Sequence, residues 1–136
     1  MAKTWLEKFH NGRKPVIETC TKDFSGIPAG EKFLISTPEE IDQYIKSIPR
    51  SKSIGFQTMK KDLALKHGVE YCCPLTTGIF TRIISELAFE NYSNNKNIND
   101  ITPFWRVIDS KTPLAKKLSF GLDFIKEMRM AEGLPL

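Results

Sequence analysis

The side chains best suited to chemistry in this 136-residue chain fall into three groups. The first is a pair of thiols, Cys72 and Cys73, directly before a stretch that reads as a helix start. The positive end of a helix dipole lowers a thiol pKa and favours the nucleophilic thiolate. His67 is close enough in sequence to serve as a base if the turn folds back. Against this stands the commoner role of adjacent cysteines as small buried hydrophobes. The second group is aromatic: Phe104 and Trp105 offer faces on which an extruded base can stack, unless they simply fill a core. The third group suits phosphate. Thr76 and Thr77 sit where hydroxyls and helix N-terminal amides meet an anion, Arg82 follows on the polar side, and Lys52, Lys60 and Lys61 precede them. Helix capping and solvated surface charge are the ordinary readings of these residues. Walker loops, dinucleotide fingerprints and Ser/His/Asp arrangements are absent. With no CxxC, and no zinc spacing from His10 and His67, neither a metal nor a cofactor is expected.

Composition narrows the class. Hydrophobic content of 40% and charged content of 26% suit one soluble globular domain. The net charge of +4 is spread along the chain without a dense basic block, so it permits an anionic partner without demanding one. An odd count of cysteines (Cys20, Cys72 and Cys73) makes a poor disulfide framework and suits a reducing compartment. No apolar run reaches the roughly 20 residues of a membrane span. The opening Met1-Ala2-Lys3-Thr4-Trp5 lacks the apolar stretch of a signal peptide. The expectation is a cytoplasmic protein without a membrane partner.

The elements that must position these groups are legible to different degrees. Residues 1–37 read as an irregular N-terminal extension packed on the main domain. It holds a helical turn around Trp5, Leu6 and Phe9, many Gly and Pro breakers, and two candidate strands at 15–20 and 32–36. From Thr37 the signals sharpen. Thr37-Pro38-Glu39-Glu40 is a helix start, with Ile41, Tyr44, Ile45 and Ile48 on one face and Pro49 as the stop. A second helix is predicted from Gln57 to His67, with Met59 and Leu63 inward and Gly68 ending it. In a third, capped by Thr76 or Thr77, Ile79, Phe80, Ile83, Ile84, Leu87 and Ala88 form the apolar stripe. Thr81, Arg82, Ser85 and Glu86 make its polar side. An exposed loop from Asn91 to Asn99, a strand from Phe104 to Ile108 and a last helix from about Gly121 to Ala131 complete the reading. The fold class is α+β and mostly helical, and the pattern is compatible with a winged helix-turn-helix.

Pro103-Phe104-Trp105-Arg106-Val107 resembles the Pro-Cys-His-Arg-Val active-site segment of the alkylguanine DNA alkyltransferase (methylguanine methyltransferase) superfamily. Further similarity lies in Ile48-Pro49-Arg50-Ser51-Lys52, in the segment Ser53 to Lys60, and in Lys126 to Gly133 with its Glu132-Gly133 pair. It covers roughly residues 38–136, and the chain looks closest to the non-catalytic alkyltransferase-like proteins. The resemblance implies the winged helix-turn-helix of the alkyltransferase C-terminal domain, with residues 1–37 as a short extension.

For function, the resemblance implies binding of double-stranded DNA, including alkylated or flipped guanine, and hand-over to a repair partner. Phe104 stands where the nucleophilic Cys would be and Trp105 where its His base would be, so the expectation is DNA binding without alkyl transfer. Carried over by position, Phe56 takes the place of the Tyr that helps rotate the target nucleotide. Gly78 falls near the place of the intercalating Arg, leaving Arg82 one turn later. Phe104 and Trp105 become base-pocket residues, with Phe104 facing the pocket. Pro103, Arg106 and Glu132 are motif residues, Glu132 matching the acid that orients the missing His. The other reading is a protein-interaction or structural module that reuses the scaffold without DNA. A thiol enzyme using Cys72 or Cys73 is a third.

Overall fold

A computed structural model describes residues 3–136; Met1 and Ala2, which open the stretch read as lacking a signal peptide, lie outside it. The chain is α+β, about half of it helical. Its helices are α1 (Trp5–Phe9), α2 (Pro38–Lys46), α3 (Phe56–Lys66), α4 (Pro74–Ser93) and α5 (Asp123–Ala131). Three strands, β1 (Val16–Thr19), β2 (Lys32–Ile35) and β3 (Tyr71–Cys72), form one sheet in that order. β1 pairs antiparallel with β2, and β2 runs parallel to β3 with Leu34 opposite Cys72. Among the described residues no helix is long and apolar enough to cross a membrane.

The N-terminal extension is tied into the rest through this sheet. Leu34 of β2 is fully buried beside Ile41, Ile45, Met59 and Leu63. α2 forms as its start signals dictate: Thr37 Oγ1 accepts from the Glu40 N–H at 3.1 Å, and Pro38 occupies the first turn. Its inner face, Ile41 and Ile45, packs with Met59, Leu63 and Ala64 of α3.

α4 departs from expectation in two ways. Its cap is Cys73, with Pro74 in the first turn, so neither Thr76 nor Thr77 starts it. It is also the central helix, not a surface one: Ile84 belongs to the α2–α3 core and Ala88 to a second apolar cluster. Consequently the supposed polar side is buried at Thr81, Ser85 and Glu86, while Ile79 is 49% exposed. The hydroxyls survive burial because each donates to the carbonyl four residues back: Thr77 to Cys73 at 2.6 Å, Thr81 to Thr77 at 2.7 Å and Ser85 to Thr81 at 2.8 Å. Buried Glu86 accepts from the N–H and hydroxyl of Ser119 at 2.8 and 2.5 Å.

Phe104 to Ile108 is not a strand. Phe104–Arg106 is a 3₁₀ turn, closed by Arg106 N–H to Pro103 O at 3.0 Å and Val107 N–H to Phe104 O at 3.1 Å. Among the described residues no strand follows α4, so the sheet comes entirely from chain that precedes it. The aromatic and β-branched residues that suggested a strand here are used for packing. Phe104 and Ile108 are fully buried with Trp105, Ile125, Ala115 and Leu118 in the second cluster. The Phe104 ring stacks on Phe124 at 5.8 Å and meets Phe120 edge-on at 5.7 Å.

Candidate nucleic-acid interface

A groove of about 320 Å³ opens between the start of α3, the first turns of α4 and the 3₁₀ helix Pro113–Lys117 with its cap Thr112. Phe56 lies at its α3 side, Leu75, Gly78, Ile79 and Arg82 along α4, and Lys117 on the far wall. Residues 75, 78, 79 and 82 stand at i, i+3, i+4 and i+7 of α4 and so share one face. Leu75 and Ile79 are 60% and 49% exposed and lie side by side on this face with Arg82 and Lys117. Gly78 lowers the wall between them, and nothing lies within 4 Å of the place its Cβ would take.

Arg82 is partly committed. Its Nε lies 3.6 Å from Glu86 and its guanidinium sits 5.6 Å from the Trp5 ring centre, so α1 packs over it. Lys60 leans over the Phe56 ring at 5.7 Å. Lys52 is exposed in the loop before α3.

Neither threonine offers its hydroxyl to a phosphate. Thr77 is fully buried and its hydroxyl is spent on the Cys73 carbonyl and the Cys72 thiol, so it offers nothing to phosphate. Thr76 is half-buried as a residue, but its Oγ1 is itself buried and without a partner among the described residues, so it is not turned outward to a phosphate either. The thiols are no better placed. Burial pushes the Cys72 thiol above its ordinary pKa, and Thr77, 3.1 Å away, only partly opposes this. The helix-dipole expectation fails because desolvation of the thiolate outweighs it. His67 is not its base; the imidazole is paired with Glu40 at 2.7 Å. Native protein should therefore leave Cys72 unmodified by iodoacetamide over times that label it fully in denaturant, read by mass spectrometry. Rapid native labelling would revive the thiol-enzyme reading.

Phe104 does not face a pocket. The expectation of a strand with alternating faces fails with the strand itself, and the ring has no exposed surface left to stack on a base. Trp105 is 2% exposed and borders a separate cleft of about 330 Å³ with Arg50, Arg106 and Glu132. Its indole Nε1–H donates to Glu132 Oε2 at 2.7 Å. Arg106 donates to the same carboxylate through Nε at 2.9 Å and to the Ile48 carbonyl at 2.8 Å. The Ser51 N–H adds a bond to Glu132 Oε1 at 2.8 Å. Burial alone would raise the Glu132 carboxyl, but the Arg106, Ser51 and Trp105 hydrogen bonds and the Arg106 charge hold it below the ordinary range. Arg129 completes the knot, donating to the Trp105 carbonyl at 2.6 Å and to the Pro135 carbonyl at 2.5 Å. Its position three residues before Glu132 on α5 was the only sequence signal for it, and one shared by many surface arginines. Pro103 provides the carbonyl that closes the turn.

Comparison with family models, with curated proteins and with solved structures finds no match for this chain.

Proposed function

We propose that this chain is a non-enzymatic DNA-binding protein that recognises alkylated or flipped guanine without transferring the alkyl group. The observation that carries this reading is the groove, which gathers Phe56, Gly78 and Arg82, three positions singled out by the alkyltransferase resemblance, on one face with Leu75, Ile79 and Lys117. An apolar cleft with cations at its rim suits a stacked base whose phosphates need neutralising. In this reading α3 and α4 are a helix-turn-helix of the winged-helix type that, among the described residues, lacks strands after α4; the exposed first turns of α4 meet the DNA, and residues 1–37 are its extension.

The knot around Glu132 supports the same scaffold. Trp105 stands where the resemblance has a His, and its indole N–H makes the hydrogen bond to Glu132 that an imidazole N–H would make. Position 104 holds a buried ring in place of a nucleophile, so the proposal includes no alkyl transfer. The partners would be double-stranded DNA and a repair protein.

The test is fluorescence anisotropy on a labelled duplex over a salt series. Affinity should fall with salt as counterions are released. Ile79→Glu, at an exposed site, should abolish most binding, while Gly78→Arg should tighten it. Gly78→Arg also replaces a glycine inside a helix, worth about 0.5–1 kcal/mol of stability. Binding unchanged by both variants would remove the groove from the interface. A second reading, a protein-interaction module on the same scaffold, is favoured by the exposed apolar Leu75 and Ile79. A stable protein complex that Ile79→Glu disrupts, with no DNA affinity, would establish it instead.

A further inference from the structure

Resting on that reading, we infer that the β1–β2 loop and α3 form a second groove that carries the DNA backbone beyond the base-binding groove. A cleft of about 410 Å³ is walled by Ser25, Gly26 and Ile27 on one side and by Lys60 and Lys61 of α3 on the other. Gln57 and Pro74 line both clefts, so the two run into one another across a shared wall. The second cleft has a different character from the first: lysines replace the exposed Leu75 and Ile79. Among the described residues neither Lys60 nor Lys61 has a carboxylate partner, and the only acid on the lining is Glu70. Two cations facing one acid, continuous with a stacking groove, fit a phosphodiester strand.

The loop that forms the far wall is built to hold its shape. Phe24 and Ile27 exchange backbone hydrogen bonds at 2.9 and 2.8 Å around Ser25 and Gly26. Both central residues have positive φ, 47° and 89°, the geometry of a tight two-residue hairpin turn. Ile27 is buried, Asp23 Oδ1 accepts from the Ala29 N–H at 2.9 Å, and the Cys20 thiol donates to the Lys22 carbonyl at 2.8 Å. A wall already ordered loses little entropy when a strand settles against it. The loop brings Ser25 and Gly26 to the same cleft as the lysines, next to Phe24, which is 38% exposed. This gives the N-terminal extension a share in binding beyond its part in the sheet.

The experiment uses the full chain and one labelled duplex, measured by anisotropy from low to moderate salt, with circular-dichroism melts to show that each variant is folded. Lys60→Ala/Lys61→Ala should reduce the slope of log affinity against log salt by about 2, one unit for each phosphate that the lysines no longer neutralise. Ser25→Glu should weaken binding several-fold and Ser25→Lys should strengthen it, opposite effects that misfolding cannot produce. If Ile79→Glu abolishes binding but the Ser25 and lysine variants match wild type in affinity and slope, the second groove is wrong and the first stands. If wild type binds no duplex at low salt, both are overturned.

Discussion

Glu132→Ala is expected to cost about 3–5 kcal/mol of stability, the penalty for leaving a largely buried ion pair without one member. The Glu132 side chain is 2% exposed and Arg106 15% exposed, so water from the bordering cleft replaces the lost carboxylate only in part. The change strands the Trp105 indole N–H, the Ser51 N–H and two Arg106 nitrogens together, and so loosens the end of α5 from the loop after α2 and from the turn at 104–106, which Arg129 still holds through the Trp105 carbonyl. Urea denaturation at neutral pH measures it. Glu132→Gln keeps the shape and one good acceptor, and should lose about 1–3 kcal/mol. The pH dependence follows from the sign of the shift. A carboxyl held below its ordinary pKa in the folded state stabilises above the unfolded value, and that contribution fades as pH falls through the folded value. The gap between wild type and Glu132→Ala should therefore be full at neutral pH and shrink only below about pH 4. A gap of less than about 1 kcal/mol at neutral pH would mean that the knot does not hold these segments together.

Phe104→Ala is the second large effect, at about 3–5 kcal/mol, the cost of removing a fully buried phenyl ring from a packed cluster. The loss falls on Phe120, Phe124 and Trp105, whose rings pack against it. The folded fraction should keep its affinity for DNA, because Phe104 supports the site without lining it. This separates the structure from the sequence-based expectation, under which the same change would damage a base pocket and leave stability nearly untouched. Denaturation and binding on one preparation distinguish them.

These two residues also show what could be read in the chain and what could not. α2 was legible in full because its signals are local: a Thr cap, Pro after it, and isoleucines one turn apart. α3 and α5 followed for the same reason, to within two residues at each end. α4 was found but turned inside out. Threonine, serine and glutamate read as a solvent face until the helix proves to be central, where hydroxyls bond back to their own carbonyls and Glu86 finds Ser119. Phe104-Trp105-Arg106-Val107-Ile108 has strand propensity, yet burial in the second cluster and the anchors of Arg106 hold it as a turn. β-propensity reflects packing on a pleated surface, and here the surface is made of other rings. β3 was missed because two residues carry no periodicity.

Of the candidate site, Phe56 and Arg82 come together, but the groove they line also depends on Leu75, Ile79 and Lys117. Lys117 is far along the chain from Arg82 and carries no local sign of its role. Glu132 was singled out by the resemblance alone, which gave it nothing to orient once the His was missing; its burial against the Trp105 indole could not be read from the chain. The indole N–H of Trp105 is one of its donors, at 2.7 Å.

The most direct measurement is equilibrium binding of the wild-type protein to two duplexes that differ only in one guanine, ordinary in the first and O6-alkylated in the second, at low salt. The account predicts tighter binding to the alkylated duplex, with no alkyl group found on the protein by mass spectrometry afterwards. Equal affinity for the two, or no binding to either, would contradict it.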